Sequence, residues 1–161
     1  MAGKMTFTKE QVNQINEQWQ EYYREAYNEP REYAKLDTDF YQDEKVRPMV
    51  RKHGETYGFR YCLLIALLSR RKRHVYRCAE EDGWLDLTED MRACGVPFEV
   101  ADVKETIGVF LDAGLIVKDS FEDFGNIQSE RLNRDSDAYA RKVADNKIKA
   151  FKTNLARQSG D

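Results

Sequence analysis

A mainly α fold is what the sequence predicts, on three observations. Apolar residues recur at three- and four-residue intervals in several stretches, each bounded by a capping pattern, a glycine or a proline. Strand-like runs are short, as in "HVYRC" and "LIVKD". The chain has 161 residues, which suits one domain with helical extensions, and its 41% hydrophobic content is enough for a modest core.

The first helix is expected over residues 8–28. Thr8 and Gln11 have capping-box spacing, Val12, Ile15, Trp19, Tyr22 and Ala26 form one apolar stripe, and Pro30 ends it. Such a stripe has to be buried, either in cis on the same chain or on a second copy as a dimerisation arm.

"LDTDFYQDEK" follows, with Asp37, Asp39, Asp43 and Glu44 around an aromatic pair. Carboxylates suit Mg²⁺ or Ca²⁺, but Gln42 stands where an EF-hand loop needs glycine. The favoured reading is a helix entrance. Asp43 precedes "EKVRPMVRKHG", whose Val46, Met49 and Val50 share a face, so its carboxylate can cap free N–H groups. Pro48 fits if it lies in the first turn of a helix starting near Arg47, with Phe40 and Tyr41 packed on the domain.

Gly54 suits the end of that helix. A stronger helix is predicted from about Thr56 to Arg71, with Tyr57, Tyr61, Leu64, Ile65 and Leu68 on one face and Cys62, Ala66 and Leu67 widening it. It is read as the central core helix, finishing in "SRRKRH", where cations suit the negative end of the dipole. A short helix over "LDLTEDMRACG" and a longer one from about Glu99 to Ala113 come next. Then "LIVKD" is expected as a strand, "SFEDFGN" as a turn, and "IQSERL" as a returning strand or helix start. Helix, turn, helix and two-stranded ribbon is the order of a winged helix. A basic amphipathic helix carrying Tyr139, Val143, Ile148, Phe151 and Leu155 closes the chain. The expected division is 1–30, 31–135 and 136–161.

Charge is distributed in blocks. Residues 45–77 hold ten Lys/Arg against Glu55 alone, a net of +9; residues 80–130 hold three bases against fourteen acids, a net of −11; residues 131–161 carry +4. A polyanion or a complementary protein surface is the partner such asymmetry suggests, and neutralisation between neighbouring helices is the alternative. The predicted second helix of the helix-turn-helix exposes Glu99, Asp102, Glu105 and Asp112 against Lys104, a poor face for phosphates. The better candidates for nucleic acid are Arg70, Arg71, Lys72 and Arg73, with Arg131, Arg134, Arg141 and Lys142, and Lys104 as the one cation of that acidic helix.

No catalytic pattern is found. His53 and His74 have no nucleophile or ligand spacing nearby, and no G-x-S-x-G, Walker loop or paired-histidine motif occurs. Cys62, Cys78 and Cys94 lack CxxC spacing and read as structural thiols, so neither cofactor nor metal is expected. "MAGKMTFTKEQ" has no apolar signal core and "YCLLIALL" is too short to span a bilayer, so a cytoplasmic location without membrane contact is expected.

"DTDFYQDEKV", "HGETYGFRYCLLIALL", "FLDAGLIV" and "NIQSERLNRD", in that order, resemble the amino-terminal domain of DnaD-like phage and prophage replisome organisers over roughly residues 33–135. The resemblance implies a non-enzymatic winged-helix module that binds DNA or self-associates during replication initiation; the cationic candidates would contact phosphates without sequence readout. A homo-oligomer and a host helicase loader or primosome protein are the implied partners. The alternative is a protein–protein adaptor or regulator whose winged helix no longer reads DNA.

Overall fold

The structure, a computed structural model, describes residues 5–31 and 40–159 and is mainly helical. Residues 30–135 form one unit, and residues 1–29 with 136–161 form the other. No helix among the described residues is long and apolar enough to cross a membrane.

In the smaller unit, α1 (Lys9–Asn28) starts at a reciprocal cap: Thr8 Oγ1 accepts from Gln11 N at 3.2 Å, and Gln11 Oε1 accepts from Thr8 N at 3.0 Å. Its partner is the distal part of α7 (Glu130–Ser159), which contributes buried Ala140, Ala144 and Ile148 against Ile15 and Ala26. Trp19 Nε1 donates to Asp145 at 2.8 Å and the Tyr23 hydroxyl donates to Asp137, so partner numbers fall as α1 advances and the helices run antiparallel. The terminal helices therefore meet each other within the chain, which buries Ile15 and Ala26 of the α1 stripe and leaves Val12 exposed.

The larger unit begins with Asp43 as a cap. Its Oδ1 accepts from Lys45 N at 2.8 Å and Val46 N at 3.2 Å at the entry to α2 (Val46–His53), placing Pro48 in the first turn. Phe40 stacks on Tyr61 with ring centroids 5.8 Å apart. Asp37, Asp39 and the side chain of Tyr41 lie outside the described residues. Gly54, at φ +103°, takes a backbone conformation other residues resist and turns the chain directly into α3 (Glu55–Ser69).

Tyr61, Leu64, Ile65 and Leu68 of α3 are buried as expected, but Ala66 is exposed and does not widen the core face. The helix also stops at Ser69, so "RRKR" is not its last turn. Arg70–His74 form a link with a 3-10 turn in which Arg73 and His74 have φ of 66° and 53°. His74 anchors the link: its buried ring nitrogen Nδ1 lies 3.2 Å from the Leu68 carbonyl.

Beyond it come β1 (Tyr76–Arg77), α4 (Glu81–Arg92), α5 (Val100–Asp112), α6 (Lys118–Phe124) and β2 (Asn126–Ile127). α4 starts four residues before the expected Leu85. Gly83 makes this possible: a Cβ there would lie 1.8 Å from the Arg77 carbonyl oxygen, so α4 enters directly against the backbone of β1. The expected ribbon is also altered. "SFEDFGN" is not an open turn; α6 occupies most of it and ends at Gly125, left-handed at φ +68° and pressed against the Ala79 backbone. β2 pairs antiparallel with β1, Tyr76 opposite Ile127, while the segment after α5 contributes the single bridge Ile116–Ser129. Around this minimal sheet Leu64, Leu68, Leu87, Met91, Ile107, Phe110 and Leu132 form one core.

Candidate nucleic-acid interface

Cationic residues are exposed where regular structure gives way. Arg70, at the end of α3, is exposed, as are Lys72 and Arg73 in the link and Arg77 on β1. Lys72, Arg73 and Arg77 line one cleft of about 530 Å³ together with Arg71 and the carboxylates Glu80, Asp82 and Asp86 of the α4 entrance. Arg77 was passed over by reading the basic run alone. The signal that finds it is the alternation in "VYR", since Tyr76 points into the core and its neighbour must point out.

Arg71 differs from its neighbours. Its guanidinium sits 4.0 Å from the Tyr76 ring centroid, its Nε donates to the Val75 carbonyl at 2.9 Å, and Nη1 lies 3.8 Å from Asp90. The Tyr76 hydroxyl donates to the same carboxylate at 2.7 Å. Burial of the ring and this bond push the Tyr76 phenol well above its ordinary range. Arg71 thus fastens the link to the core face of β1 and α4.

The other candidates fall into separate places. Arg131 is nearly buried, 3.7 Å from Asp43 and over the Phe40 ring at 5.3 Å. Arg134 is exposed, on a cleft of about 460 Å³ shared with Arg131 and Asp43. Lys104 reaches back to Glu81 at 3.2 Å across the Trp84 ring. Arg141 and Lys142 belong to the smaller unit, where Arg141 pairs with Asp137 at 3.0 Å and covers the Tyr23 ring.

The surface of α4 and α5 has the opposite sign. Glu81, Asp82, Asp86 and Glu89 are exposed on α4, with Leu85 among them; Glu105 and Asp112 are exposed on α5. Asp102 is spent on a cap, accepting from Glu99 N at 3.0 Å. Burial raises the Cys78 thiol to about 12, which makes it an inert core group at neutral pH.

A small helical domain with a two-rung sheet, a cationic link and an anionic helix pair is the class this geometry defines. Residues 33–132 match the family model described as Lin1244/Lin1753-like, N-terminal, and the chain belongs to that family. No curated protein and no solved structure matches it.

Proposed function

We propose that this chain is a non-enzymatic, DnaD-like protein of phage or prophage replication that holds DNA by its phosphates and self-associates. The larger unit is read as a winged helix in which α6 fills the wing. The pairing of β1 with β2 and the Ile116–Ser129 bridge support this reading, because they give the three extended segments the order expected of that fold. One observation carries the binding site: exposed Arg70, Lys72, Arg73 and Arg77 are gathered where the chain leaves α3, while the helix that would enter a groove is acidic. Phosphate contact without base readout follows from such an arrangement. Arg71 acts as a positioning residue, Lys104 and Arg131 are occupied by carboxylates, and Arg134, Arg141 and Lys142 supplement the main strip.

Titrating duplex and single-stranded DNA at several salt concentrations tests it. Wild-type affinity is expected to fall steeply with salt, and Lys72→Ala with Arg73→Ala to flatten the log–log slope by about 1 per lost contact. Asp86→Asn, which removes a repelling carboxylate from the same cleft, is expected to tighten binding.

A second reading, a protein–protein adaptor, is favoured by exposed Leu85 in its ring of α4 carboxylates, an apolar anchor within an anionic surface. Absence of DNA binding even at low salt leaves that reading in place of the first.

A further inference from the structure

α3 carries apolar residues around its whole circumference, yet only part of it is covered. Glu55, Phe59, Ala66 and Arg70 are exposed, Phe59 by 54%, and Cys62 and Leu63 are half-buried. Steps of 100° per residue place all six within roughly 100° of arc, a single stripe running the length of the helix. Arg70 keeps helical backbone angles, φ −83° and ψ −9°, and so continues the stripe beyond Ser69.

The stripe is complementary to its own reverse. Its midpoint falls between Cys62 and Leu63. About that point Glu55 is the counterpart of Arg70, Phe59 of Ala66, and Cys62 of Leu63. Acid meets base at each end, and a large ring meets a methyl group one turn further in. Among the described residues, neither Glu55 nor Arg70 has an ion-pair partner within the chain. We propose that two copies of this chain pair through α3, antiparallel across a two-fold axis between Cys62 and Leu63, with Phe59 of each seated over Ala66 of the other and Glu55 facing Arg70 at both ends.

A two-fold contact is isologous, so one self-complementary patch suffices and closes after two copies. Phe59 supplies the apolar anchor, and Ala66 lets the helices approach to about 8–10 Å between axes. The inference rests on the self-association part of the reading above and touches the DNA part only at Arg70. It also gives Arg70 a second partner, leaving Lys72, Arg73 and Arg77 as the cations directed to phosphate.

The test uses the full chain. Light scattering at roughly 100 µM, above the micromolar dissociation constants of small interfaces, is expected to give twice the chain mass. Phe59→Asp is expected to give the single-chain mass with unchanged helicity, since the ring is over half exposed. Arg70→Glu alone should weaken the dimer on the order of fivefold to tenfold, and Glu55→Arg/Arg70→Glu should restore it. In a Cys94→Ser background, a bismaleimide with a spacer of about 8 Å should join the copies through Cys62. A dimer that survives Phe59→Asp undiminished, or is not rescued by the charge swap, overturns the α3 contact while leaving self-association standing. A wild-type chain of single mass overturns both, whatever the DNA titrations show.

Discussion

The two units of this chain are held together by different physics. In the larger, fully buried Leu64, Leu68, Leu87, Ile107 and Phe110 come from α3, α4 and α5 and enclose one another from several directions. In the smaller, two helices meet along a single seam whose buried apolar residues are Ile15, Ala26, Ala140, Ala144 and Ile148, three of them alanines. Area removed from water scales with stabilisation, so the seam gains little from it. Polar and aromatic contacts supply the remainder: Trp19 to Asp145, Tyr23 to Asp137, and Trp19 stacked on Tyr23 at 5.4 Å. The larger unit should tolerate surface change and fail on loss of volume. The smaller should respond to loss of single hydrogen bonds.

The largest expected effect tests the first half of that contrast. Phe110→Ala empties the centre of the core, where Tyr57 and Tyr61 meet the ring edge-on, and should cost about 4 kcal/mol by denaturant titration. Gly83→Ala adds one methyl group against the Arg77 carbonyl and should cost about 3 kcal/mol or more. A cost under 1 kcal/mol would mean that α4 can slide along β1 and that the contact does not fix its position.

Smaller effects probe the seam. Tyr23→Phe removes the donor to Asp137 and should cost about 1 kcal/mol, read as faster amide exchange in α1 with α3 unchanged. Equal acceleration in both helices would show that the units open as one. The pH dependence has a definite sign. Burial, then the bond to Asp137, raises the Tyr23 phenol from 10.0 to about 12, so its contribution is complete below pH 10 and lost as pH climbs through about 12. Asp137 is held below its ordinary 3.8 by Tyr23 and then Arg141, so its contribution is present above that value and lost as pH falls below it. The stability difference between wild type and Tyr23→Phe should therefore narrow at both extremes, as followed by circular dichroism.

Legibility in the sequence followed the range of the interactions. The cap of α1, the role of Asp43 and the buried face of α3 are local, set by residues three or four apart, and were readable. The early start of α4 was not, because Gly83 reads as a loop residue and serves instead for contact with a distant strand. α6 was hidden because seven residues of "KDSFEDF" carry no clear period. "RRKR" read as a helix end because its cations suit the negative end of the dipole; burial of His74 in the following link ends the helix sooner. The candidate cationic strip was legible as a run of charge. The run could not show that Arg71 is held inward while Arg77 stands outward.

On the proposed function, Arg73 sets stability and binding against each other. A residue with a Cβ loses on the order of 1 kcal/mol when held at φ 66°, so Arg73→Gly should stabilise the fold by up to about that amount while removing a cation from the cleft. Selection for robustness alone would favour glycine at this position. A variant that melts higher but binds DNA more weakly would expose the trade directly.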